Sequence, residues 1–339
     1  MRLLMPLILT FAVLGLFNGA GDTAAKTALQ SKAGGNPGPP PDSAAQGLVP
    51  SFITVHGADL RSKIDSALKL ASLNSNAKRF WVGYSFAVRS GVAIDTEIID
   101  GEGKKVLLMG ANVSTGSFFD TRNLGVFLLY NAGGNNVTRM EIYNLDRPRE
   151  FGGYAVYWLG RAENEESFDL LKKLVEANKS NEVAEGATMA IALHDDGQVN
   201  SLLENVFRNS SSENVRRKVI FWLGQNNMDM AFFANIILDE GEDTEVRRQA
   251  AFAIGVSKDR AALATLKGIY DKVANHQVKM HIIFAASVNG NKEEATSFLN
   301  EIASTDADSE AKKLAEFWLW LKSDNYSPEK FSLKYRPPM

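Results

Sequence analysis

Residue types that could do chemistry are few in this chain and widely spaced. The 339 residues include four histidines and no cysteine, which excludes disulfides, thiol nucleophiles and cysteine-ligated metals. His276 and His281 are five residues apart, so they do not share a helix face as two metal ligands on one helix would. No serine, histidine and aspartate follow a pattern typical of nucleophilic catalysis. The sequence therefore favours a protein without catalytic residues or a cofactor, with an enzyme as the alternative.

Two short polar stretches could hold a metal ion. His194-Asp-Asp-Gly197 places three liganding side chains in a row in a predicted loop. The alternative is a solvated turn with a helix-capping aspartate, and we favour it because a metal site draws ligands from several segments. Asp95, Asp100 and Glu102 surround a glycine, but they lack the alternating aspartates of a calcium loop. We therefore expect no metal site.

A pattern of about 32 residues recurs through the second half of the chain. Its six copies begin at Phe151, Val183, Val215, Val246, Val278 and Ala311, at intervals of 32, 32, 31, 32 and 33 residues. The copies align without gaps. Regular self-similarity at this period is typical of a solenoid rather than of a globular fold.

Each copy has the apolar spacing of a helix. Counted from zero at the first residue, positions 0, 4, 7 and 8 fall on one helical face, which must be buried. Position nine is small in five copies, and we expect the helix to end there. These residues are Gly160, Ala192, Gly224, Gly255 and Ser287. A second apolar-periodic segment follows, such as Ser167–Val175 or Met230–Leu238, so each copy is predicted to be a helical hairpin.

The stretch Val246-Arg-x-x-Ala-x-x-Ala-Ile-Gly255 resembles the short HEAT-type repeat, the kind first noted in phycobilisome lyases. Val215, Arg216, Leu223 and Gly224 match it next best, and the resemblance covers roughly residues 148–322. It implies a mainly α fold, an α-solenoid of about six HEAT-like hairpins. Such repeats mostly scaffold or bind other molecules, and a minority act as lyases. No residue here matches a lyase-specific feature.

Position six of the repeat departs from the usual pattern, because it is large and apolar where HEAT-like repeats carry a polar residue. These residues, the position-six column, are Tyr157, Met189, Phe221, Phe252, Phe284 and Phe317. On a helical wheel they point away from the centre of the buried face. We favour close packing between neighbouring first helices as the explanation. The alternative is a surface that docks the N-terminal module, a partner or a membrane.

Stacked hairpins expose a long concave surface that is lined mainly by the second helices. Four positions with exposed spacing on the first of these helices are Asp169, Lys173, Glu204 and Asn205. Together with the position-six column, they are the predicted contacts for a protein or peptide partner.

Residues 51–149 follow a different pattern. Gly57–Ala71 has helical spacing, and the runs at 80–88 and 125–130 are rich in β-branched and aromatic residues, as in central strands. Val137–Tyr143 is predicted to pair with the second run as a hairpin. We expect a small antiparallel α+β module that packs on the first repeat at residue 150.

The two ends of the chain have little to bury. Residues 1–20 carry one arginine and a run of about 15 apolar residues, which predicts a signal peptide cleaved between residues 20 and 25. A membrane span needs about 20 apolar residues, so an uncleaved anchor is the alternative. Residues 21–50 have the composition of a Pro/Gly/Ala-rich linker, and residues 323–339 that of an irregular tail. Export to the periplasm or the exterior follows from this interpretation.

Charge narrows the choice of partner. Residues 151–322 carry 19 basic and 26 acidic side chains, a net charge of −7. An acidic repeat region argues against nucleic-acid binding, which needs clustered Lys and Arg. The predicted function is therefore an exported scaffold or adaptor that binds a protein or peptide, with contact to a membrane only through an uncleaved N-terminus. The alternatives are a lyase-like or hydrolytic enzyme and an anchored structural protein of the envelope, and the oligomeric state stays open.

Overall fold

The computed structural model describes residues 52–73, 78–99, 105–111, 120–131, 136–177, 180–226 and 229–322. The predicted signal peptide, linker and tail lie outside these ranges. So do Asp100 and Glu102 and the side chain of Asp95, which were considered as calcium ligands. All described residues belong to one compact unit.

The described residues form seven strands and eleven helices in the following order. The strands and first helix of the N-terminal part are β1 (Phe52–Thr54), α1 (Leu60–Ser72), β2 (Arg79–Ser85), β3 (Val92–Ile99), β4 (Lys105–Ala111), β5 (Leu124–Asn131), β6 (Val137–Asn144) and β7 (Val156–Arg161). The remaining helices are α2 (Asn164–Ala177), α3 (Asn181–Leu193), α4 (Val199–Asn209), α5 (Glu213–Gln225), α6 (Met230–Leu238), α7 (Thr244–Val256), α8 (Ala262–Tyr270), α9 (His276–Val288), α10 (Lys292–Thr305) and α11 (Ser309–Lys322).

The main sheet has five strands in the order β1-β7-β2-β5-β6. The strands β2, β5 and β6 are antiparallel neighbours, which confirms the two predicted central strands and the hairpin. The strand β7, however, runs parallel to both β1 and β2, so the sheet is mixed and the prediction of an antiparallel module was wrong on this point. The strands β3 and β4 pair separately as an antiparallel ribbon.

The first copy of the repeat is a strand and not a helix, which corrects the count of about six hairpins. Its residues from Val156 to Arg161 form β7, between β1 and β2. Tyr157 packs into the core shared with the helices, whereas Trp158 packs into a separate aromatic cluster on the other face of the sheet. Both faces of an internal strand are buried, so a continuous apolar run suits it as well as it suits a helix.

The other five copies are helical, as predicted. Their first helices are α3, α5, α7, α9 and α11, and position four is fully buried in all of them. Side-chain caps begin several of the helices: a side-chain oxygen of Ser212, Asp229, Asp243, Asn275 or Asn291 accepts a backbone N–H of the first turn. The helices α5, α7 and α9 end one residue after position nine.

The small residue at position nine has a different cause from the one expected. Gly255 is not among the described glycines with a positive φ, so it is not a left-handed helix cap. A Cβ at Gly255 would instead lie 2.5 Å from the carbonyl oxygen of Ala285 on the neighbouring helix α9. Close approach of two helix backbones therefore requires the glycine.

Helices pack in two layers. Each of α3, α5, α7 and α9 contacts the next helix in that series, ending with α11, while α4, α6, α8 and α10 pack beside them. Position five is buried in α3, α5, α7 and α9, although the apolar spacing had not predicted it. Each of these helices packs against the next helix of its layer as well as against the second layer, which covers this position. Position five of α11 is the exposed Glu316.

The sheet and the helices share one hydrophobic core. This core runs from Val55 on the N-terminal side to Ala315 in α11, and α3 packs directly on β6. The core therefore has members on both sides of residue 150. Among the described residues, no helix is long and apolar enough to cross a membrane.

Candidate partner-binding surface

The position-six column is divided by the fold. Tyr157 lies in β7 and is only 4% exposed, so it belongs to the sheet. The other five members lie on the first-layer helices and are partly buried. Met189 and Phe221 pack against the shared core, and Phe221 meets Trp222 edge-on at 5.0 Å between ring centroids.

The C-terminal members of the column touch across neighbouring helices. The rings of Phe252 and Phe284 stack with centroids 5.9 Å apart and an angle of 12° between their planes. Phe284 in turn lies 5.4 Å from Trp318, which Phe317 contacts at 5.1 Å. The contacts of Phe284 with Phe252 and with Trp318 join successive first-layer helices, and all of these rings stay partly exposed.

The four predicted contacts on the second-layer side lie on α2 and α4. Asp169 is exposed and paired with Lys172 at 3.0 Å, and Lys173 is exposed beside them. On α4, Glu204 forms an ion pair with Arg208 at 3.2 Å. The exposed Asn205 accepts a hydrogen bond from the side-chain amide of Asn209. Asp169, Glu204 and Asn205 are therefore bonded to side chains of their own helices.

The exposed side chains of α4, α6, α8 and α10 combine small and uncharged polar residues with charged ones. The small and uncharged members include Ser201, Asn205, Ala231, Asn235, Ala264, Gly268, Ser297 and Asn300. The exposed charged members include Arg208, Lys267, Glu293 and Glu301. A Cβ at Gly268 would meet nothing within 4 Å. The large hydrophobic residues that are exposed in the described part of the chain all lie elsewhere, on α1, on the sheet side or at the ends of α7 and α9. A ligand here would meet a shallow surface rich in hydrogen-bonding groups.

Polar contacts between neighbouring hairpins recur at the repeat interval. Ser212 donates to Asn181, 31 residues away, and Asn275 donates to Thr244, also 31 residues away. The side chain of Asn289 donates to the carbonyl of Gly255, 34 residues away, at 2.9 Å. Equivalent positions thus meet along the array, and the polar bonds set the register of one hairpin on the next.

Two ion pairs of the first-layer helices lie within a single helix. Arg217 pairs with Glu213 in α5, and Arg248 pairs with Glu245 in α7. Arg216 makes one of the ion pairs between hairpins: it reaches Glu242 at 2.9 Å and also donates to the carbonyl of Ser210 at the end of α4.

A buried polar chain links the sheet to the first two helices of the array. His194 Nδ1 lies 2.7 Å from the carbonyl of Ala190, and Nε2 lies 2.9 Å from Ser167 Oγ. The carbonyl can only accept, so Nδ1 carries the proton and Nε2 accepts from Ser167. Ser167 Oγ also lies 3.0 Å from the hydroxyl of Tyr84 on β2. Sequence patterns did not predict this hydrogen-bonded network, because Tyr84, Ser167 and His194 come from distant segments of the protein.

The hydrogen-bonded network of Tyr84, Ser167 and His194 is a buried structural network. Ser167, His194 and Tyr84 are each at most 1% exposed. Burial lowers the pKa of His194 to about 4, so the ring is neutral near pH 7, and burial raises the pKa of Tyr84. The partner of Nδ1 is a carbonyl and not a carboxylate, and no substrate reaches the serine. The network therefore positions α2 and α3 on the sheet.

The loop after α3 contains a turn, but its histidine is buried and not solvated, and α4 begins without the predicted cap from an aspartate side chain. His194 is engaged by Ser167 and Ala190, while Asp196 accepts from the backbone of Gln198 and from the side chain of Asn164. Within the described ranges, no three His, Cys, Asp or Glu side chains are grouped as a metal site requires.

A cleft of about 650 Å³ lies beside the short edge strand β1. Residues 149–156 form most of its wall, and two exposed hydrophobic side chains, Ile53 and Tyr154, stand at it. Gly152 and Gly153 turn the chain there with φ values of 63° and 75°. The wall offers apolar contact but no converging set of titratable groups, so it lacks the features of a catalytic site.

No protein-family model matches the chain, and a search of curated proteins found no significant match.

Proposed function

We propose that the helices from α2 to α11 form a HEAT-like α-solenoid and that the protein is a scaffold or adaptor for a protein or peptide partner. The observation that carries this proposal is the offset of about one repeat in the contacts between hairpins, from Ser212 with Asn181 to Asn289 with Gly255. Contacts at a constant offset are what translation of one unit along an axis generates.

The last helix supports the same architecture. Position five, buried as Thr188, Ile220, Ala251 and Ile283 in the preceding first-layer helices, becomes the exposed Glu316 in α11. A polar residue at this position is typical of the terminal repeat of a solenoid.

The partner in this proposal is an extended polypeptide that lies across α4, α6, α8 and α10. Small side chains on this face let a backbone approach closely, and side-chain amides offer it both a donor and an acceptor. Asn205 and Asn235 present such amides on neighbouring hairpins. The surface contains few large apolar residues, so recognition is polar and moderate in affinity.

Selection from a random displayed peptide library against the purified chain tests this proposal. Asn205→Trp with Asn235→Trp blocks the face without touching the core, and Glu182→Trp with Lys218→Trp places the same bulk on exposed first-layer positions. We expect selected peptides to bind the face variant at least about tenfold more weakly and the control variant unchanged. No enriched peptide, or equal losses in both variants, would contradict the proposed surface.

We also propose that the protein is exported through residues 1–20. The support is the sequence pattern of one arginine, a short apolar run and small residues. Fractionation of expressing cells with N-terminal sequencing measures this directly. A mature chain that begins between residues 21 and 26 is expected, and an intact N-terminus in the membrane fraction would favour the anchored alternative.

A further inference from the structure

A cluster of charged side chains around His276 joins α11 to the preceding hairpin. His276 is the first residue of α9, and its ring points at the loop that leads into α11. Its Nδ1 lies 3.0 Å from Asp308 Oδ2, and its Nε2 lies 3.0 Å from Glu310 Oε2. The imidazole of His276 therefore bridges the carboxylates of Asp308 and Glu310 at the N-terminal end of α11.

This geometry requires a particular protonation state. The contact of Nε2 with Glu310 is a hydrogen bond and needs an N–H on that nitrogen, because an ionised carboxylate only accepts. The contact of Nδ1 with Asp308 is an ion pair at 3.0 Å, and a neutral ring would present a lone pair to this carboxylate. Only the imidazolium of His276 is attracted by both carboxylates.

The two carboxylates offset a local field that disfavours a positive charge on His276. His276 stands at the N-terminus of α9, where the helix macrodipole disfavours positive charge. Asp308 also caps α11, because its Oδ1 accepts the backbone N–H groups of Glu310 and Ala311. The carboxylate of Asp308 thus joins the N-terminal end of α11 to His276.

Neighbouring charges are engaged with one another. Asp306 accepts from the hydroxyl of Tyr270 on α8 at 2.7 Å and pairs with Lys279 on α9 at 3.4 Å. Desolvation raises the pKa of Asp306, but bonds from the Asp308 backbone, Tyr270 and Lys279 outweigh it and lower the pKa. On α7, Glu245 is paired with Arg248. These neighbouring charges therefore have partners other than His276.

We propose that His276, Asp308 and Glu310 form a proton-dependent clasp, closed on α11 when His276 is protonated and open when it is neutral. The clasp sets how firmly the last helix is held on the array. It depends only on the described packing and not on the proposed role as a scaffold.

Hydrogen exchange of the α11 amides in the full chain tests the clasp between about pH 5 and 8, corrected for the intrinsic exchange rate. We expect protection to fall by about twofold to tenfold as the pH rises, the range that one or two exposed ion pairs provide. His276→Gln should abolish the change.

His281→Gln is the matched control on the same helix. Burial, with a smaller effect of Arg248, lowers the pKa of His281 to about 3, so this ring is neutral throughout the range. The control should therefore keep the pH dependence. Constant protection of α11 in the wild-type chain, or an unchanged pH dependence in His276→Gln, would overturn the proposal.

Discussion

Replacing Gly255 by alanine tests whether the first-layer helices are packed as closely as the structure shows. The added Cβ would lie 2.5 Å from the carbonyl oxygen of Ala285 and 2.8 Å from its carbonyl carbon and Cα. All three atoms are backbone, so no flexible side chain can move aside. The helices α7 and α9 would have to separate, and the apolar contacts between them would loosen.

The expected magnitude follows from two opposing effects. Overpacking a core costs about 1–3 kcal/mol, and a clash with backbone belongs at the upper end, about 3 kcal/mol. Alanine is the better helix former and returns about 1 kcal/mol. The free energy of unfolding should therefore fall by about 2 kcal/mol.

Gly268→Ala is the matched control, because Gly268 also lies within a helix but its Cβ would meet nothing within 4 Å. Only the helix propensity changes there, so the free energy of unfolding should rise by about 0.5–1 kcal/mol. Equilibrium urea unfolding, followed by tryptophan fluorescence, measures both variants. The reasoning is refuted if Gly255→Ala is as stable as the wild type or if both variants shift in the same direction.

Three further predictions concern the polar contacts. The free energy of unfolding should decrease by up to about 3 kcal/mol as the pH falls from about 6.5 to about 4, because the pKa of His194 is lowered to about 4 in the native state and the unfolded protein then binds more protons. Urea unfolding at several pH values and NMR titration of the ring measure this, and a His194→Asn variant should lose this part of the pH dependence. Ser167→Ala removes the buried hydrogen-bond partner of His194 Nε2 and of the Tyr84 hydroxyl, so the free energy of unfolding in urea should fall by about 2 kcal/mol. A change near zero would show that Ser167 does not make these hydrogen bonds. Arg216→Met should cost about 1–2 kcal/mol, and a double-mutant cycle with Glu242→Gln should give a positive coupling energy, since the two side chains are only 20% and 11% exposed; additive effects would argue against the pair.

Much of the helical part was predictable because its signal is periodic. The buried positions of α3, α5, α7 and α9 recur at a fixed spacing, and a helix that buries one stripe needs apolar residues at that spacing. The hairpin of β5 and β6 was equally predictable from two β-rich runs joined by a short loop. Local pattern and final structure agree in these elements.

The candidate surface was predictable only in part. Exposed positions such as Asn205 follow from helical spacing, but the burial of the position-six column depends on how close neighbouring helices come. That distance is decided by small contacts such as Gly255 on Ala285, and the clasp at His276 depends on a partner 34 residues away. A pattern read along one helix carries no information on the helix that packs against it.

By itself, the sequence determined where chain segments must bury apolar surface, and hence the succession of helices from α3 to α11. Only the tertiary structure decided that Val156–Arg161, with the same apolar pattern as those helices, is a strand. Its backbone bonds to β1 and β2, and its two faces meet different cores through Tyr157 and Trp158. An apolar run satisfies a helix and an internal strand alike, and the choice depends on hydrogen-bond partners that lie about 70 to 100 residues earlier in the chain.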